Sequence, residues 1–76
     1  MPHRPLEDAR RHLGLSYLDL WIDYFALGGN LDAEHIAQYL RGDRPASDSD
    51  HNVVVLALNE RFQDRGENNP LPYKAL

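Results

Sequence analysis

Apolar residues recur along the chain at intervals of three and four, the spacing that places side chains on one face of an α-helix. Pro5 opens the first such segment and Gly14 follows its last apolar position. Proline is favoured in the first turn of a helix and glycine just beyond the last turn. The pattern therefore predicts a short amphipathic helix over residues 5–13.

The second segment is the most apolar part of the chain, with ten apolar residues among the thirteen from 15 to 27. Ser16 can accept a hydrogen bond from the free amides of a first helical turn, and Asp19 follows three residues later in the arrangement of a capping box. The Gly28-Gly29 pair is typical of a helix end. These signals predict a helix over residues 16–27 that touches neighbours on several sides.

A third helix is predicted over residues 32–41, because its apolar residues fall at positions i, i+3, i+4 and i+7. Asn30 or Asp32 can cap its first turn, and Gly42 ends it. A polar turn follows, in which Ser47 and its acidic neighbours offer a cap for a further helix.

The fourth segment leaves a choice of secondary structure, because the apolar run at 53–58 contains three consecutive valines and could form a buried strand. A strand needs a partner for its backbone groups, and no other segment alternates apolar and polar residues. Arg61 and Arg65 also suit the last turns of a helix, where cations are favoured. We therefore predict a helix over residues 49–65.

The residues after Gly66 contain Pro70 and Pro72, which are incompatible with a helix and favour an extended chain. The sequence thus predicts an all-α fold: a small bundle of three main helices, a short N-terminal helix and an extended tail. Residues 1–66 are expected to form the single domain and residues 67–76 an extended, flexible tail. The sequence leaves two alternatives for this tail, an ordered segment or a recognition peptide.

Two apolar stripes run along the second helix, and their placement decides the expected core and the expected site. The first stripe consists of Tyr17, Trp21 and Tyr24. Tyr and Trp are enriched at protein interfaces because they combine apolar area with a polar group, so this stripe is the predicted protein interface. The alternative is that both stripes are buried in the centre of the bundle. The predicted core consists of Leu18, Ile22, Phe25, Ile36, Leu40, Val55, Leu58 and Phe62.

Composition and charge narrow the classes of function. The 76 residues carry a net charge of −4 and no cysteine, which excludes disulfides, thiolate metal sites and thiol nucleophiles and favours a reducing, cytoplasmic location. An acidic chain is a poor match for a phosphate backbone or an anionic membrane, and no apolar run approaches a membrane span. The four histidines lack the i, i+4 spacing of paired ligands, so neither a metal nor another cofactor is expected.

A helix-turn-helix that binds DNA is the alternative reading of the third and fourth helices. In that motif the first residues of the second helix meet bases and phosphates. Here those residues include Asp48 and Asp50, which phosphates repel, and only Arg41 and Arg44 in the turn favour DNA.

Three strings of residues stand out: the aromatic block 20–29 that ends in Gly-Gly, Tyr-Leu-Arg-Gly at 39–42, and Ala-Leu-Asn-Glu-Arg at 57–61. Together they resemble a family of short helical segments of high-GC Gram-positive bacteria to which no activity is attached. The resemblance covers roughly residues 15–62 and implies a helical fold and a bacterial source.

These observations together predict a small non-enzymatic interaction or regulatory module. Its expected partner is another protein or a second copy of the chain in a homodimer, and the aromatic helix is the expected contact. No nucleophile, base and orienting group fall in a catalytic pattern.

Overall fold

Four α-helices, and no strand, form the regular structure of residues 4–67 and 71–75, the part of the chain that the computed structural model describes. They are α1 (Pro5–His12), α2 (Tyr17–Ala26), α3 (Ala33–Arg41) and α4 (Asp48–Asp64). Every helix begins and ends within one residue of its predicted bounds, so the all-α prediction is confirmed and the strand alternative for 53–58 is excluded. Within these residues, no helix has the length and apolar character needed to cross a membrane.

Side-chain caps explain why three of the helices begin where they do. The Ser16 hydroxyl accepts from the Asp19 amide at 3.0 Å, and the Asp19 carboxylate accepts from the Ser16 amide at 3.3 Å, which completes the predicted capping box. Asp32 and Ser47 accept in the same way from the third residue of α3 and of α4. Such caps satisfy amides that have no partner within the helix.

The bundle is arranged so that α1 and α2 each pack against both α3 and α4. The longest helix, α4, contributes more buried residues than any other helix. The buried apolar residues are Ala9, Leu15, Leu20, Tyr24, Ile36, Ala37, Leu40, Val54, Val55, Ala57, Leu58 and Phe62. Five residues of the predicted core, namely Ile36, Leu40, Val55, Leu58 and Phe62, are in this set.

The other three predicted core residues, on α2, are not. Leu18, Ile22 and Phe25 are 56%, 51% and 59% exposed, so their assignment to the core is wrong. The reason is that Leu20 lies beside the stripe of Tyr17, Trp21 and Tyr24 and makes that side of α2 the wider apolar face. At 100° per residue, one arc of about 120° holds five apolar side chains, more than the three on the other side. These five are Tyr17, Leu20, Trp21, Tyr24 and Leu27, and all pack in or against the core.

Tyr24 is fully buried because its hydroxyl finds three partners inside the protein. It donates to the Asp50 carboxylate at 2.7 Å and accepts from the amides of Asn30 and Leu31, both at 3.0 Å. Gly29 lies against the ring, since a Cβ at this position would fall 2.1 Å from the ring carbon Cζ. Tyr24 therefore joins α2, the loop before α3 and the first turn of α4.

A second buried polar group, Glu7, joins α1 to α2. Its carboxylate accepts from Arg10 Nε at 2.6 Å and from the Tyr17 hydroxyl, and only 3% of the residue is exposed. Arg10 also donates to the Leu15 carbonyl at 2.6 Å and places its guanidinium 4.0 Å from the centre of the Tyr17 ring. The charges of this cluster are thus paired and hydrogen-bonded, as buried charges must be.

The C-terminal residues 71–75 lie along α4. Leu71 packs against the core, and its backbone pairs with the side chain of Asn59. The sequence predicted a mobile tail outside the domain, whereas this part of the tail is attached to the helix. The remaining tail residues 68–70 and 76 lie outside the described part of the chain, as do residues 1–3.

Candidate functional site

The most prominent surface feature of the described residues is the exposed apolar stripe of α2, formed by Leu18, Ile22 and Phe25. Each side chain is more than half exposed. Their spacing of four and three residues aligns them along one side of the helix. Single exposed apolar residues are ordinary on a protein surface, whereas three in a row on one helix leave a continuous apolar strip uncovered.

The structure places the predicted interface residues elsewhere. Tyr24 is fully buried, so its assignment to an interface is wrong. Tyr17 and Trp21 are half-buried against the core and use their polar groups internally. Tyr17 donates to Glu7, and Trp21 Nε1 donates to the Leu31 carbonyl at 2.9 Å. The polar groups that suggested an interface therefore serve the fold.

One residue of the stripe, Phe25, packs beside an aromatic ring of the same helix. The Phe25 ring lies 5.3 Å from the Trp21 ring, centre to centre, at an interplanar angle of 35°. Asp23, also on α2, forms a two-pronged ion pair with Arg61 of α4, with distances of 2.7 and 3.2 Å. At 100° per residue Asp23 lies about 100° or more around the helix from each of the three stripe residues, so this ion pair is not part of the stripe.

The sequence contained a signal that distinguishes the two faces of α2. On the helical wheel Leu20 lies about 40° from Tyr24, on the side away from Tyr17, and Leu27 adds a fifth apolar residue to the same arc. Counting every apolar residue by angle, rather than only the aromatic ones, assigns the wider face to the core. The three-residue stripe is then left for the surface.

A second feature is a cavity of about 250 Å³ between the start of α1, the end of α3 and the C-terminal segment. Its wall is mostly apolar and includes Leu6, Leu40 and Leu71. The Tyr39 hydroxyl and His51 Nδ1, both on this wall, share a hydrogen bond of 2.6 Å. Burial raises the pKa of Tyr39, so its hydroxyl stays protonated at neutral pH.

We expect His51 to make folding sensitive to mild acid. Burial, and secondarily the charge of Lys74, lower the pKa of His51 below its ordinary value of 6.5, against the smaller opposing effect of Asp48. The unfolded chain then binds the proton more readily, so the contribution of His51 to stability is complete above pH 6.5 and is lost as the pH falls through the folded-state pKa. Urea unfolding curves at pH 7.5 and pH 5 should show less acid destabilisation in His51→Gln than in the native chain. Equal losses in both proteins would contradict the prediction.

The carboxylates of α2 and the histidines are distributed through the fold. Asp19 completes the cap of α2 and Asp23 pairs with Arg61. Among residues 4–67 and 71–75, no three His, Asp or Glu side chains come together in a group that could hold a metal ion. His3 lies outside the described residues.

In a helix-turn-helix, the first residues of α4 would face the DNA. Here these residues make contacts within the protein. The Asp50 carboxylate accepts from the hydroxyls of Tyr24 and Ser47, each at 2.7 Å. Asp48 lies 3.5 Å from Lys74 Nζ. Two carboxylates in this turn repel phosphates.

Comparisons of the chain with protein-family models, with curated proteins and with solved structures found no match. The resemblance to a bacterial family of helical segments therefore stays a prediction.

Proposed function

We propose that the chain is a small, non-enzymatic, cytoplasmic interaction module that binds protein through the exposed stripe of α2. The observation that carries this proposal is the row of three large apolar side chains, Leu18, Ile22 and Phe25, on a helix whose opposite face is already in the core. This contact surface replaces the aromatic one predicted from the sequence.

Burial of the stripe by a partner contributes several-fold more than thermal energy to the binding free energy. Complete burial of one Leu, Ile or Phe side chain is worth about 1.5–3 kcal/mol, so burying the exposed half of each contributes about 1 kcal/mol, or about 3 kcal/mol for the row. That gain corresponds to more than a hundredfold in affinity. Further contacts around the row must supply the remainder.

A second copy of the chain is the occupant that the pattern fits best. The stripe is nearly symmetric about Ile22, with Leu18 four residues before it and Phe25 three residues after it. Two α2 helices that cross antiparallel at Ile22 would place Leu18 of each copy against Phe25 of the other. Such self-complementary contacts are what a two-fold symmetric dimer requires.

The test inserts a charge at the centre of the proposed contact. In Ile22→Glu, two carboxylates would face each other across the dimer axis, so we expect dimerisation to weaken at least tenfold (about 1.4 kcal/mol). Sedimentation velocity over a concentration series measures the effect. Leu56→Glu is the matched control, because Leu56 is also an exposed apolar helical residue but lies on α4. A native chain that stays monomeric, or equal effects of the two variants, would refute the α2 dimer.

The same variants separate this proposal from the DNA-binding alternative. Titration of labelled duplex DNA at two salt concentrations is expected to show no specific affinity at physiological salt. An affinity that falls steeply with salt and is unchanged in Ile22→Glu would instead favour a regulator that binds DNA.

A further inference from the structure

Two asparagines of α4 hold the backbone of the C-terminal segment in the same manner. Asn59 Oδ1 accepts from the Leu71 amide at 2.7 Å, while Asn59 Nδ2 donates to the Leu71 carbonyl at 3.1 Å. Asn52 repeats the arrangement with Lys74, at 2.8 Å to the amide and 2.9 Å from Nδ2 to the carbonyl. Each carboxamide thus pairs with both polar backbone groups of one residue.

The spacing of the pairs selects an extended chain. Asn52 and Asn59 are seven residues apart, which on a helix is two turns or about 10.5 Å. Leu71 and Lys74 are three residues apart, and three residues reach about 10 Å only when almost fully extended. The spacing of the two asparagines therefore matches residues three apart in an extended chain. Because the asparagines pair with backbone groups, the pairing does not depend on the side chains of the bound segment.

Side chains of the segment add little to this attachment. Leu71 is the one that packs against the core, while Pro72, Tyr73, Lys74 and Ala75 are exposed. The Tyr73 hydroxyl accepts a long hydrogen bond, 3.4 Å, from Asn59 Nδ2. The Lys74 ammonium lies 3.5 Å from the exposed carboxylate of Asp48, a pair of low strength in water. This face of α4 therefore recognises an extended backbone that carries one leucine and one basic residue.

Asn59 is unusual for its place in α4. It is only 7% exposed and follows Ala57 and Leu58, both buried. A buried carboxamide lowers stability unless its hydrogen bonds are made, and here both of its backbone bonds go to the C-terminal segment. The Asn59 carboxamide is thus positioned to bind a chain segment that lies along α4.

We propose that the α4 face bearing Asn52 and Asn59 is a binding site for an extended peptide segment of a partner protein. The segment carries leucine at the position paired with Asn59 and a basic residue at the position paired with Asn52. Residues 71–75 act as an internal competitor that covers the site. Because a tethered segment has a high effective concentration, a partner gains access when these residues are released. This site is separate from the α2 stripe.

The test uses full-length protein and a fluorescent peptide with the sequence of residues 67–76 as the probe. In Leu71→Asp the chain's own segment loses its one packed side chain, and we expect the peptide to bind this variant at least tenfold more tightly than the native chain. Adding Asn59→Ala or Asn52→Ala should each weaken binding about tenfold, from the loss of two hydrogen bonds. Gln63→Ala, at an exposed position of the same helix, is the matched control.

Modified peptides test whether the backbone is what is recognised. Methylation of the backbone nitrogen at the positions of Leu71 and Lys74 removes the two donors and should abolish binding. Methylation at the position of Tyr73, whose amide takes no part in these pairs, should leave most of the peptide's affinity intact. Equal effects of the three methylations would overturn the proposal.

The native chain provides a measurement that does not depend on Leu71→Asp folding. Excess unlabelled peptide should leave the carboxamide signals of Asn52 and Asn59 nearly in place, because it makes the same hydrogen bonds as the segment that it displaces. It should release the amides of Leu71 and Lys74 in the isotopically labelled chain to exchange. Protection of these two amides that persists at millimolar peptide, or failure of a folded Leu71→Asp to bind the probe, would overturn the proposal. Ile22→Glu should bind the peptide as the native chain does, so this site and the dimer are tested independently.

Discussion

Tyr24→Ala is expected to lower the free energy of unfolding by about 3–5 kcal/mol, which in so small a domain leaves little folded protein. The substitution removes a fully buried ring and leaves a cavity against Gly29. It also removes the acceptor of the Asn30 and Leu31 amides and the donor to Asp50. Urea unfolding followed by circular dichroism measures the loss.

Phe25→Ala is the matched control, because it removes a neighbouring aromatic ring from the exposed side of the same helix. We expect a change of about 0.5 kcal/mol or less, as for most surface substitutions. Tyr24→Phe should fall between the two, at about 1–3 kcal/mol, since it removes only the hydroxyl and leaves its partners unsatisfied. A loss in Phe25→Ala as large as that in Tyr24→Ala would reverse the assignment of the two faces.

Glu7→Ala is expected to cost about 3–5 kcal/mol, the usual effect of removing one partner of a buried ion pair. Arg10, whose side chain is only 14% exposed, would lose its carboxylate, and the Tyr17 hydroxyl would lose its acceptor. Glu34→Ala is the control, because Glu34 is an exposed carboxylate on α3. Thermal unfolding of the two variants at pH 7 compares them, and equal small losses would show that the Glu7 cluster is not a stabilising element.

The Glu7 cluster also predicts how stability depends on acid. Burial raises the pKa of Glu7, but the hydrogen bonds from Arg10 and Tyr17 and the charges of Arg10 and Arg11 outweigh it, so the pKa is lowered from its ordinary value of 4.5. The contribution of Glu7 is therefore complete above pH 4.5 and is lost as the pH falls through the folded-state pKa. Glu7→Gln should be less stable than the native chain at pH 7, and the difference should shrink toward pH 3. A difference that stays constant would contradict this linkage.

The helix bounds could be predicted because their causes are local. Ser16, Asp32 and Ser47 lie within three residues of the amides they cap, and Gly42 supplies the left-handed backbone, φ = 83°, that ends α3. Such interactions are encoded in a few neighbouring positions. The first helix has no side-chain cap, and its bounds follow instead from Pro5 in its first turn and Gly14 just beyond its end.

The face that α2 turns toward the core could not be read from the aromatic residues alone. The decisive contacts of Tyr24 are with Asp50, 26 residues away, and with the amides of a loop. A phenol with three internal partners is buried like an apolar ring, whereas its polar group had suggested a surface position. The candidate site moved to the opposite side of the helix for this reason.

The attachment of residues 71–75 left no pattern in the sequence for a different reason. Asn52 and Asn59 pair with backbone groups, which every residue possesses, so no complementary residue type marks the partner segment. Only the interval of seven residues between the two asparagines hints at a common face of α4. The Pro72 region was correctly excluded from the helices, but where it lies required the structure.

The hydrogen bonds of Tyr24 and Trp21 also fix the rotation of α2 about its own axis. The hydroxyl of Tyr24 and the indole of Trp21 both bind the loop that leads into α3. Turning the helix by even one residue position would break all of these bonds. A binding partner therefore meets Leu18, Ile22 and Phe25 on a helix whose orientation is already set. Less conformational entropy is therefore lost on association. A small contact area can then support an affinity that it would not support on a helix free to rotate.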